Sequence, residues 1–442
     1  MGKRICSRSC VLLMICISQL SVGETPADAR LTVDERMFTA SKVYSLVQLY
    51  FSGWKSLPEL DMDIAYRNYL EKALATEGRR EFDLATMEFL VRLRNGHTVL
   101  WDSWLTKNYG QPIGFYARPL DAKWVVQSSV EPGIKTSDVL SKIDDTEIES
   151  FFRRQQKYIA GSNEAAQRHN LFYLTYLFPA QFTVTLEDGR KVRIDRAGPM
   201  LADQTDKLPE GRWLAENATA YIRISSFANS LFEEKALAYV MQFKNAKTLI
   251  LDVRNNAGGV IPRRLSKSLM DRTYHSWKES TPIHISLLEY YDQMHKGQQL
   301  KDLPDFERGY TSAFADLFGG SQLSWGGDLV PPEGPVFHGK LIFLVDGGCA
   351  SACEDLVGPF KDNHRATLIG ETTEGSSGPA YLYDFKNGMT VGIAVKRQYF
   401  PDGSEFEGVG IQPDIEIHPS VDDLRAGRDR ALDKALELAA LP

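Results

Sequence analysis

Beyond residue 16 the chain has only two cysteines, Cys349 and Cys353, of five in 442 residues. No disulfide framework can hold such a fold, so each domain must bury an apolar core of its own. The two lie four apart on a segment that reads as helix, and this spacing predicts that they do not bridge each other. Basic clusters are also missing. Lys and Arg number 51 against 58 Asp and Glu, and the net charge of −7 argues against nucleic acid as the main partner. The 8 histidines include no zinc-ligand spacing such as H-E-x-x-H, so no metal is expected. Neither a phosphate loop nor a dinucleotide fingerprint occurs, and no cofactor is expected. Finally, no apolar run is long enough to cross a bilayer comfortably; "VLLMICISQLSV" (11–22) is too short.

That short run has a meaning of its own. Lys3, Arg4 and Arg8 precede it, and Ser21 and Gly23 supply small residues at its end, with "ADA" (27–29) as a second point of cleavage. This is the layout of a cleaved signal peptide over residues 1–23, which predicts export to a periplasm or the extracellular space. Cys6, Cys10 and Cys16 leave with it, and the charge of residues 24–442 becomes −10. Asn217-Ala218-Thr219 is a glycosylation sequon, meaningful only in a eukaryotic source.

Three regions follow. Residues 31–107 carry apolar residues at three-to-four spacing, as in "DERMFTASKVYSLVQLYF", and predict a helical domain. Residues 108–200 switch to short β-like runs: a hairpin in "PIGFYARPLDAKWVVQSSV", a strand and turn in "SDVLSKIDDTEI", and a hairpin closed at Asp188-Gly189. "PMLADQTDKLPEGR" (199–212) reads as a linker. Within 208–442 strands and helices alternate, which implies parallel strands with crossover helices, interrupted by a polar and aromatic insert at 261–337 that could border a cleft. The fold class is therefore α/β and multidomain.

Two buried strands end in glycine turns, "KTLILDVRNNAGG" at Gly258-Gly259 and "GKLIFLVDGG" at Gly347-Gly348. Ligands gather at the carboxyl ends of parallel strands, so both turns can face one cleft. Glycine lets backbone N–H groups point outward, where they can stabilise an oxyanion. Ser351 follows the second turn within "CASAC", with Ala352 next to supply a second donor beside Gly258 or Gly259. From the residues alone, close helix packing explains the small residues as well as a nucleophile does.

The order of several blocks adds a resemblance. "AYIRISSF", "LILDVRNNAGG", "DGGCASACEDLVGPFKDNHRATLIGETTEGSSG" and "PDGSEFEGVGIQPDIEI" are similar, in this order, to the C-terminal-processing (tail-specific) serine peptidases. "VQSSVEPGIKTSDVLSKIDDTEIESF" resembles their PDZ-like domain. The resemblance implies a PDZ-like module at 108–200 and a ββα-spiral peptidase core, related to ClpP and the crotonases, at 208–442. It also implies that Ser351 is the nucleophile, with Cys349 and Cys353 as small buried neighbours.

One departure is informative. Where the bacterial enzymes carry the lysine of a Ser/Lys dyad, 25 residues after the serine, this chain has Ser376 in "TEGSSG". Lys361 lies too close to Ser351 to replace it and reads as a solvated end charge. The chain resembles instead the branch of the tricorn core protease and the interphotoreceptor retinoid-binding proteins. There a histidine, supported by a hydroxyl and a glutamate, serves as base. "LVRLRNGHTVLWD" matches that branch's L-x-D-G-H-T block, with Asn95 in the usual Asp position, and makes His97 the base.

The same resemblance assigns Glu407, in "FEGVGIQPD", to orient the system, with Thr98 as relay; Glu405 and Glu374 read as solvated charges. Asp252 and Arg254 read as braces for the first glycine turn. The expectation is an exported serine endopeptidase acting on peptides or unfolded proteins through Ser351, His97 and Glu407. Gly258, Gly259 and Ala352 would form its oxyanion hole. The alternative is an inactive peptidase scaffold that binds peptides or small apolar ligands.

Overall fold

The structure is a computed structural model that describes residues 30–196, 207–215, 218–282 and 322–441. The expected signal peptide, most of the expected linker, Asn217 of the sequon and the middle of the 261–337 insert lie outside the described residues. Among the described residues no helix is long and apolar enough to cross a membrane.

The chain is mixed α/β with several sheets. Its centre is a six-stranded sheet, in the order Ile415–Glu416, Ala366–Gly370, Lys340–Val345, Thr248–Asp252, Thr219–Arg223 and Glu210–Ala215. All neighbouring pairs are parallel except the last, which is antiparallel. Glu210–Ala215 thus takes the end of the expected linker into the sheet, a pairing that its own short, polar sequence does not announce. Thr248–Asp252 is buried at every position, as is Leu341–Val345, because helices cover both faces. Thr248 is level with Lys340 and Asp252 with Leu344, so the two glycine turns leave the sheet side by side.

Helices Val33–Tyr50, Met62–Ala75 and Arg79–Val91 come first; Thr32 and Asp61 cap the first two through their side chains. The expected helical region is not helical throughout. Val99–Asp102 is a strand, pairing antiparallel with Met389–Ala394, which pairs with Ala380–Asp384. A four-residue strand whose partner lies almost 300 residues away leaves no local periodicity to read. The helices bury Val43, Leu46, Phe82 and Leu90 against Met389, Val391 and Ile393. Each such side chain contributes about 1.5–3 kcal/mol when buried. Residues 33–91 are thereby packed onto the C-terminal part of the chain.

Between them, strands Phe115–Leu120, Lys123–Ser129, Val139–Ile143, Gln181–Leu186 and Lys191–Asp195 form an antiparallel sheet in that order, with Thr146–Glu147 paired to Val139–Ile143. It has its own core around Trp124, Phe152, Phe172 and Phe178. Helices Ile148–Gln155 and Glu164–Asn170 belong to this module.

Candidate active site

The strand Lys340–Val345 runs into Asp346-Gly347-Gly348, and the helix Ala352–Asp362 begins four residues later. Asp346 shapes the turn by accepting hydrogen bonds from Asn255 N (2.7 Å) and Gly348 N (3.1 Å), tying the two glycine turns together. Ser351 stands at the helix N-cap with φ 54° and ψ −123°, in backbone space that L-residues rarely occupy. Its side chain makes no capping bond, so Oγ remains directed elsewhere.

It meets His97. The helix Arg79–Val91 ends in a tight turn with Arg94 at φ 48°. Asn95 Oδ1 then accepts from His97 N (2.8 Å) and from Thr98 Oγ1 (3.2 Å). An aspartate offers the same acceptor, so Asn95 shapes the loop as the acid would. His97 Nε2 lies 3.3 Å from Ser351 Oγ, and Nδ1 lies 2.9 Å from Ser376 Oγ. His97 is 5% exposed, and burial pushes its imidazole down from 6.5 to about 4, leaving it neutral near pH 7.

The other expected residues are placed differently. Thr98 is fully buried; besides its bond to Asn95, Oγ1 accepts from Ala394 N (3.2 Å), so it anchors the loop to the strand behind it and does not bond the imidazole. The hydroxyl on His97 is instead that of Ser376. Ser376 O also accepts from Ser351 N (2.8 Å), and Ser376 N donates to Glu354 Oε2 (3.0 Å). One residue therefore bonds the His97 imidazole by its side chain and Ser351 by its backbone.

Glu407 does not bond His97 or Ser376. Its Oε1 accepts from Gln398 N (3.0 Å), and burial raises its carboxyl to about 8. Its loop borders the site through Gly408 N, which donates to Gly375 O (2.7 Å). Glu405 pairs with Arg397. Glu374 lies nearer: a methyl group added at Gly96 would meet Ser376 Oγ at 2.6 Å and Glu374 Oε1 at 3.0 Å. Loss of water raises Glu374 to about 7.

Gly258 N donates to Asn256 Oδ1 (2.9 Å) and is thus engaged, while Gly259 N and Ala352 N have no hydrogen-bond acceptor among the described residues. Gly258 serves by its smallness. Its φ is +91°, and a Cβ there would fall 2.6 Å from Ser351 Cβ and 2.7 Å from both Ala350 O and Ala352 N.

Cys349 and Cys353 do form a disulfide, with Cα atoms 5.5 Å apart. The expectation that they stay unbridged assumed one continuous helix. The helix begins only at Ala352, and the turn at Ser351 brings the two within bridging range. Both sulfurs are consumed, and neither cysteine carries a thiolate that could compete with Ser351.

Asp252 and Arg254 are ion-paired (2.7 Å), with Tyr221, Arg223 and Asp429 around them, as expected of a brace. Lys361, expected to be solvated, pairs with Asp414. Among the described residues no cluster of three His, Cys, Asp or Glu side chains could hold a metal. Glu354 escaped sequence reading. It is wholly buried and accepts from Thr373 Oγ1, Gly375 N (2.7 Å) and Ser376 N, which shapes the loop carrying Ser376; burial nonetheless pushes its carboxyl well above the usual range.

Residues 218–417 match peptidase family S41. The chain is 26% identical over 217 residues to the chloroplastic C-terminal processing peptidase of Tetradesmus obliquus, covering 48% of this chain and 38% of that protein. With the carboxy-terminal-processing protease of Bartonella bacilliformis it shares 24% over 315 residues, 70% of this chain and 60% of that protein. The matched stretch spans less than half the length of the first of these relatives. Among solved structures, mature CPAF complexed with lactacystin superposes with a TM-score of 0.69 at 16% identity, over 92% of this chain and 98% of that one. At such identity the likeness is one of fold. The likeness to peptidase family S41 covers residues 218–417, which hold Ser351 and both glycine turns.

Proposed function

We propose that this chain is an exported serine endopeptidase that cleaves peptides or unfolded proteins through an acyl-enzyme. One observation carries the reading: a buried, neutral His97 lies between Ser351 Oγ and Ser376 Oγ, at 3.3 and 2.9 Å. With Ser351 as proton source, Nε2 bears the lone pair and Nδ1 the hydrogen, which Ser376 Oγ accepts. Ser351 Oγ attacks the peptide carbonyl and its proton passes to Nε2. The carbonyl oxygen, now negative, is held by Gly259 N–H and Ala352 N–H. His97 then protonates the leaving amine, and water repeats the sequence on the acyl-enzyme. Ser376 keeps the imidazole in the reactive tautomer throughout. The test is a fluorophosphonate probe on the full chain, with the adduct located by mass spectrometry. Labelling at Ser351 is expected; no labelling overturns the enzyme reading in favour of a binding scaffold.

Two further outcomes follow from the same geometry. Gly258→Ala is expected to cut labelling by about 10²-fold or more, since the methyl group meets three atoms of the serine turn and the conformation is strained. The rate of labelling against the free probe measures it. Glu407→Ala is expected to slow labelling by about tenfold, because Gln398 N loses its acceptor and the loop that Gly408 ties to Gly375 is loosened. An unchanged rate removes Glu407 from the machinery and directs the carboxyl role to Glu374.

A further inference from the structure

The base is clamped from a part of the chain outside the family match. Ser162 and Asn163 precede the helix Glu164–Asn170 of the antiparallel module. Ser162 Oγ accepts from Gly96 N (3.2 Å), the residue before His97. Asn163 divides its side chain. Its Oδ1 caps the helix by accepting from Ala166 N (2.9 Å), while Nδ2 donates to Glu374 O (2.8 Å) and Gly408 O (3.4 Å). Glu374 lies two residues before Ser376, and Gly408 directly follows Glu407. The two adjacent residues thus grip both loops that meet at the imidazole, one on each side.

We infer that Asn163 is a positioning residue: by its Nδ2 it holds the Ser376 loop at hydrogen-bond distance from His97, so the antiparallel module fixes the base. This rests on the peptidase reading for its kinetic consequence but not for its geometry. The contacts explain why it must be an amide. Cap and clamp need an acceptor and a donor on one short side chain, and Asn supplies both. Glu374 O and Gly408 O, both carbonyls, can only accept.

Serine and aspartate cap helices about as well as asparagine, but an ionised aspartate has no donor and the serine hydroxyl, one bond shorter, stops short of the Nδ2 position. Asn163→Ser and Asn163→Asp are therefore expected to keep the thermal midpoint of the wild type. Their kcat on a short peptide is expected to fall by about tenfold or more, with KM unchanged. A second readout needs no turnover: the His97 side-chain ¹⁵N resonances, assigned through their loss in His97→Gln, are expected to move in Asn163→Ser as the Ser376 contact lengthens. Moved resonances in a protein that never labels would sink the peptidase reading and leave the positioning role standing. Wild-type kcat together with unmoved resonances overturns the positioning role, as does a kcat loss that merely tracks a lowered thermal midpoint.

Discussion

Ser351→Ala is expected to abolish fluorophosphonate labelling and to lower peptide hydrolysis by roughly 10⁴- to 10⁶-fold, with folding intact. Stability should hold because the hydroxyl does not cap the helix that starts beside it. Removing it therefore forfeits no structural bond of that kind, and alanine has no more trouble than serine with the φ of 54°. The chemistry has no substitute nucleophile at hand. Cys349 and Cys353 are joined to each other, and Ser376 Oγ faces Nδ1, the other side of the imidazole from Ser351. Peptide turnover and thermal midpoint, measured on the same preparation, check both halves. Undiminished turnover with an intact fold would remove Ser351 from the mechanism, whatever the family.

The blocks that named Ser351 and His97 were legible because each is local: a strand ending in glycine, a helix ending before Gly-His. Their distance was not legible, since it depends on Val99–Asp102 pairing with Met389–Ala394 and so carrying the His97 loop across the molecule. The hydroxyl partner of His97 is illegible for a similar reason. Thr98 is next to His97 in sequence, but the turn in which Thr98 N donates to Asn95 O sends its hydroxyl to Asn95 Oδ1 and Ala394 N, away from the imidazole. Ser376, 279 residues away, fills that place. The lysine's absence at that position is plain in the sequence, but the role of a serine there depends on the imidazole that approaches it only in the fold.

The disulfide shows the opposite limit. A four-residue spacing excludes a bridge only if the intervening backbone is helical, and Ser351 at positive φ breaks that premise. The positive φ at Ser351 is thus what lets the cysteines on either side of it join. Asn163 and Glu354 carried no signal in one sequence, because an N-cap asparagine and a first-turn glutamate have ordinary local reasons to be there.

His97→Gln is expected to lower hydrolysis by a factor similar to Ser351→Ala, since the two act as one unit. The pH dependence of the wild type is the sharper measurement. A general base works only when unprotonated, so labelling and kcat/KM should be present above the imidazole's pKa and lost as pH falls through it. Burial sets that point at about 4, against 6.5 in water. The expected acid limb therefore lies near pH 4, with a plateau through neutrality, and a limb near 6.5 would mean that water reaches His97 in the working enzyme. The same shift enters stability with a fixed sign. Between pH 4 and 6.5 the unfolded chain binds the proton that the folded one refuses, so stability is full above 6.5 and falls as pH drops toward 4, by about 3 kcal/mol in all. Glu374 and Glu407 act in the opposite sense: with folded values raised to about 7 and about 8, they bind protons more tightly when folded and lose that stabilisation as pH rises. The contribution of His97 is isolated by subtracting the pH-stability curve of His97→Gln from that of the wild type. That difference should change between pH 6.5 and 4 and be flat above, because glutamine has no proton to gain.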